Sequence, residues 1–155
     1  MSDFVAKLTA EHPAFLEKLK NEEPPVSIVE LIDSGSWLPI FEEYAKFDHA
    51  APEVEFLLVA RRFAGGPDEA GAMVIYENFI SESASTQANI GSETRKKYDA
   101  IFGEPHDQTI AEKAKAQQDW NMADLFTEAF DDVANMARQI AYRFHGIAEG
   151  ARSGQ

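Results

Sequence analysis

The apolar residues Phe126, Phe130, Val133, Ala137, Ile140 and Phe144 follow one another at steps of four, three, four, three and four. Side chains so spaced line one face of an α-helix, whereas a strand would scatter them over both of its faces. The segment therefore predicts a long amphipathic helix near the C-terminal end, with Asp131, Asp132 and Arg138 off the stripe and Gly146 as its stop.

The same spacing recurs elsewhere, and strict alternation does not, so the chain reads as all-α. Residues 52–64, PEVEFLLVARRFA, open on a proline and place Val54, Phe56, Leu57, Leu58, Val59 and Phe63 nearly all round a helix axis. A helix apolar on most faces belongs at the centre of a bundle, and Gly65, Gly66 and Pro67 end this one. Ala72, Ile75, Tyr76, Phe79 and Ile80 give the next helix its stripe. Trp37, Phe41 and Tyr44 mark a shorter one, and Phe4, Leu8, Phe15, Leu16 and Leu19 mark one or two around Pro13. Ser27 with Glu30 and Thr109 with Glu112 have the capping-box spacing of a helix start. Ser92 is the expected N-cap of a further helix, with Glu93 in its first turn.

Composition narrows what such a fold can do. At 155 residues the chain is one domain by length, and 45% apolar content is enough for a sizeable core. A formal charge of −13 repels phosphate backbones and anionic lipid, which argues against nucleic acid or a membrane surface as partner. There is no cysteine, so disulfides, thiolate metal sites and cysteine nucleophiles are excluded, and a reducing, cytoplasmic setting is expected. No stretch approaches the length of a membrane span, so no direct membrane insertion is expected.

Catalytic patterns are sparse. His12, His49, His106 and His145 lie far apart without a partner at metal-ligand spacing, so no metal is expected. Glu128, Asp131 and Asp132 fall within one helical turn, a geometry open to paired-carboxylate chemistry but common on a solvated face, which is the reading taken. The glycines of RRFAGGPDEAG lack phosphate-cradling spacing, and no nucleophile elbow is present. No cofactor follows from these residues.

One break remains. Residues 83–95, SASTQANIGSETR, place small polar residues and a single apolar Ile90 between two helical stretches. This loop and its flanks, VSIVELIDSGSWLPIFEEYAKFDHAAPEVEFLLVARRF, AMVIYENFISESASTQANIGSETRKKY and DLFTEAFDDVANMARQIAYRF, resemble the regulator of G-protein signalling (RGS) homology domain in order and spacing. The likeness spans roughly residues 25–146 and rests on several concordant motifs: EFLL, IYENFI, NIGSETR and YRF. It implies an antiparallel four-helix bundle beside a smaller bundle of N- and C-terminal helices, one domain over residues 1–149 and a flexible tail over 150–155.

The resemblance further implies a protein that is not itself an enzyme. It would bind a G-protein α subunit and hold the partner's own groups in the transition-state arrangement for GTP hydrolysis. Asn89 falls where the family's Asn meets the partner's catalytic glutamine and switch segments, with Ile90 anchoring the loop and Ser92, Thr94 and Arg95 continuing the motif. Arg143 agrees with the family's Arg. Pro52 and Glu53 stand where the family usually has Glu-Asn, Gln139 replaces a carboxylate that contacts the first switch segment, and Asn135 replaces an apolar contact. Exchanging a charged hydrogen bond for a neutral one forfeits about 1 kcal/mol at such an interface. These departures motivate an alternative expectation, an RGS-fold interaction module that binds another protein without activating a GTPase. Residues 103–121 exceed the family's usual connection, and the Thr109 capping box with AEKAKAQQ predicts an added or extended helix there rather than a loose loop.

Overall fold

Apolar stripes and local start signals become helices throughout. The structure, a computed structural model, describes residues 2–84 and 86–154, and among these every regular element is helical. In chain order they are α1 (Asp3–Glu11), α2 (Pro13–Asn21), α3 (Ile28–Asp33), α4 (Leu38–Phe47), α5 (Ala51–Gly65), α6 (Glu69–Ile75), α7 (Ser92–Phe102), α8 (Ile110–Gln118) and α9 (Thr127–Arg152). A π-helical turn, Tyr76–Ile80, continues α6, and a 3₁₀ turn, Met122–Asp124, precedes α9. No helix among the described residues is long and apolar enough to cross a membrane.

The helices gather into two compact units, one of Met1–Val54 with Ala137–Gln155 and one of Glu55–Met136. In the first, Ser2 and Ser27 cap α1 and α3 by accepting from Val5 N–H (3.1 Å) and Glu30 N–H (3.0 Å). Pro13 opens α2 directly after His12, which is why two short helices replace one. Phe4, Leu8, Leu16 and Leu19 are buried beneath them. The stripe of α4 closes on Phe144, whose ring lies 5.4 Å from Phe41, 5.5 Å from Tyr44 and 6.3 Å from Trp37. Burying such side chains contributes roughly 2–3 kcal/mol each.

The expected stop of the last helix at Gly146 is not where α9 ends; it runs on to Arg152. Ala148 and Ala151 extend the buried stripe past the glycine, and Arg152 donates to the Glu22 carbonyl at 3.3 Å. Their packing outweighs the ~1 kcal/mol by which glycine is a poorer helix former than alanine.

The second unit is built on α5, where Phe56 and Leu57 are fully buried. Tyr76 stacks on Phe102 at 4.4 Å, and Phe126 meets Phe63 at 5.0 Å and Tyr98 at 5.6 Å. The Tyr98 hydroxyl donates to the Leu125 carbonyl (2.7 Å) and accepts from Ala129 N–H (3.3 Å), and burial pushes its pKa well up. Burial also raises the Tyr76 hydroxyl, to about 12, aided by its 2.6 Å bond to Asp99.

The segment after Gly103 forms a helix, α8. Thr109 closes a full capping box with Glu112. Glu69 of α6 places its two carboxylate oxygens on Ile110 N–H (2.9 Å) and Ala111 N–H (3.0 Å). Lys113, 3% exposed, donates to the Gly103 carbonyl at 2.6 Å, tying α8 to the end of α7.

Candidate partner-binding site

The break between the π turn and α7 is a held loop. Ala88 and Ile90 are buried, while Asn89 between them is exposed. Thr86 N–H donates to the Asn78 carbonyl (3.2 Å) and Ala88 N–H to the Phe79 carbonyl (3.0 Å), so the incoming strand of the loop folds back on the π turn. That turn frees carbonyls from the α-helical ladder and thereby supplies the acceptors. Arg95, one turn into α7, donates to the Ile80 carbonyl (2.7 Å) and the Ala88 carbonyl (3.4 Å). A single guanidinium thus bridges the start and the end of the loop. The alternation of buried Ala88, exposed Asn89 and buried Ile90 is that of extended chain, and it turns Asn89 outward.

Ser92, the expected N-cap, is instead the first residue of α7, with Gly91 at the cap position and no side-chain cap. The Gly91 carbonyl accepts from Arg95 N–H at 2.9 Å, which starts the helix one residue earlier than expected. Ser92 is exposed, and Thr94 is buried.

Three carboxylates were expected on a solvated face of the last helix, and two are engaged. Glu128 pairs with Lys97 of α7 at 2.7 Å, and Asp132 accepts from Gly91 N–H at 3.1 Å. Asp131 is exposed. Glu128 and Asp132 serve different partners, so they do not form a carboxylate pair. No group of three or more His, Asp or Glu side chains among the described residues is placed to hold a metal ion.

The remaining site residues fall by unit as follows. Asn135, in the second unit with Asn89 and Ser92, is exposed on α9. Pro52 and Glu53, half-buried in the first turn of α5, belong to the first unit with Gln139 and Arg143, both exposed. Glu53 keeps one buried carboxylate oxygen, Oε2, without a hydrogen bond. Arg143 donates through both Nε (3.1 Å) and Nη2 to Asp48 Oδ2 at the end of α4. That bond raises the guanidinium's pKa further, and Tyr44 beside it is raised by burial and by the Asp48 charge. Arg143 therefore braces the α4–α9 packing, a role carried by an acidic partner that lies 95 positions away in sequence.

Two contributors had no local signal in the sequence: Asp132, which holds Gly91, and Asp48, which holds Arg143. Their neighbours in sequence resemble those of any solvated carboxylate.

Chemically, Asn89, Ser92, Asn135 and Gln139 present neutral donors and acceptors, suited to holding another molecule's polar groups by hydrogen bonds rather than to proton transfer. Comparison with models of known protein families and with curated proteins finds no match.

Proposed function

We propose that the chain is an RGS-type regulatory protein that binds a G-protein α subunit and accelerates its GTP hydrolysis by stabilising the transition-state form. The observation that carries this reading is the Asn89 loop: buried Ala88 and Ile90, with the Arg95 guanidinium on two loop carbonyls, hold an exposed carboxamide beside an exposed Ser92. Activation of this kind asks a protein to present a few polar groups in fixed positions to a partner's active site, without adding a base or nucleophile. A pinned loop with an outward Asn meets that requirement, because the entropy of ordering the side chain's support is already lost before binding. The grouping of both chain ends in one unit and the central helices in another supports the RGS-like architecture.

In this reading Asn89, Ser92 and Asn135 of the second unit meet the switch segments, and Pro52, Glu53, Gln139 and Arg143 of the first unit are further expected contacts. The test is binding of the purified chain to an α subunit carrying GDP alone, a GTP analogue, or GDP with aluminium fluoride. Tightest binding to the fluoride form, lost by about tenfold or more in Asn89→Ala, is expected, since a hydrogen bond formed only in the transition state is worth 1.4 kcal/mol or more. Equal behaviour of mutant and wild type defeats the assignment.

A second reading, an interaction module on the same fold without activating function, draws on Arg143. Its guanidinium is occupied by Asp48, and the neighbouring Gln139 carries no charge. Partner binding independent of the bound nucleotide is its signature.

A further inference from the structure

We propose that Asp132 is a positioning residue for partner binding through the Asn89 loop and that Gly91 is matched to it, an inference that rests on the function proposed above. Gly91 sits between the two groups the loop presents, Asn89 and Ser92, and its amide donates to Asp132 Oδ2 at 3.1 Å. Asp132 is half-buried, and this amide is its hydrogen-bond partner; it makes no ion pair among the described residues. Its carboxylate is therefore committed to the loop backbone.

The glycine is there for the approach and not for the backbone. Gly91 has φ −59° and ψ 148°, a conformation open to any residue. A Cβ at this position would meet Asp132 Oδ2 at 3.2 Å, closer than ordinary van der Waals contact. Any other side chain at position 91 pushes against the oxygen that holds the amide.

The bond is also the last rung of a ladder between α7 and α9. Tyr98 bonds to the Leu125 carbonyl and the Ala129 amide, Lys97 pairs with Glu128 at 2.7 Å, and Asp132 takes Gly91 one turn further on. The first two rungs set the register of α7 on α9, and the third extends that register to the loop. Asn135 follows Asp132 by three residues on the same helix, where side chains are neighbours. Asp132 thereby fixes the loop that carries Asn89 and Ser92 relative to the next candidate contact, Asn135.

The experiment compares Asp132→Ala, Asp132→Asn, Gly91→Ala and the Gly91→Ala/Asp132→Ala double variant in binding to an α subunit with GDP and aluminium fluoride, alongside hydrogen exchange of the Gly91 amide. Asp132→Ala is expected to weaken binding about tenfold and to speed Gly91 exchange by a similar factor, at unchanged far-ultraviolet circular dichroism. Asp132→Asn keeps a carbonyl acceptor and restores binding to within about threefold of wild type, an outcome that a merely destabilising effect does not produce. The two alanine changes are expected to be non-additive, as for residues in contact. If Asp132→Ala binds as wild type while Asn89→Ala is impaired, the positioning role is wrong and the proposed function stands. If the wild-type chain binds no form of the α subunit, the proposed function falls, and with it the binding role of Asp132; an unchanged Gly91 exchange rate overturns the brace itself.

Discussion

Two stretches of the second unit interrupt its main helices, and they are held in opposite ways. Residues 103–121 organise themselves: Thr109 and Glu112 cap one another, and α8 then offers its free N-terminal amides to Glu69. Residues 86–91 form no element of their own and are held from outside, by carbonyls of the π turn, by Arg95 and by Asp132. A self-capped helix tolerates the loss of one external contact, because its own hydrogen bonds persist. A loop held only from outside has its geometry set by its neighbours, which suits a segment that must present one side chain in one orientation.

That contrast can be broken at several points. Ile90→Ala removes the loop's buried anchor and should lower global stability by about 3 kcal/mol, the usual loss for a truncated core aliphatic, read as a shifted midpoint in urea. Arg95→Ala removes the bridge between the Ile80 and Ala88 carbonyls and should cost about 2 kcal/mol, within the range for charged hydrogen bonds. Hydrogen exchange should rise in residues 86–91 and not in α8. Glu69→Ala unpairs two amides at the start of α8, and a loss of about 1 kcal/mol is expected, as for other lost caps. Here exchange should rise in the first turn of α8 while the Asn89 loop is unaffected; the reverse pattern would dissolve the distinction between the two stretches.

A further effect concerns alkaline pH. Tyr76 is raised to about 12 in the folded chain from its ordinary value near 10, so the unfolded chain loses this proton first as pH rises. The stability it contributes is complete below about pH 10 and fades between roughly pH 10 and 12. Tyr76→Phe should be less stable than wild type at neutral pH, through loss of the Asp99 bond, and should show a shallower decline across that alkaline window.

What could be read from the sequence was local. The stripe from Phe126 to Phe144, the Pro13 break, the Ser27 cap and the Thr109 capping box each involve residues a few positions apart, and each corresponds to an element in the structure. Gly146 misled because its local stop signal is overridden by Ala148 and Ala151, which pack at long range. For the candidate site, the outward Asn89 and the anchoring Ile90 were expected from the family resemblance and not from a local pattern, and Asn89 is exposed and Ile90 buried. The bonds of Asp132 to Gly91 and of Asp48 to Arg143 were not legible, since each joins residues 41 or 95 positions apart without any periodic signal.

The division of α9 between the units bears on synthesis. Helices α1 to α4 share their unit with the part of α9 beyond Met136, and Trp37, Phe41 and Tyr44 close on Phe144. A ribosome releases those aromatic rings long before it releases their lid, at roughly 5–20 residues per second, whereas residues 55–136 are made without interruption. The nascent N-terminal helices therefore spend several seconds with an open apolar face, a window in which holdase chaperones are the natural cover.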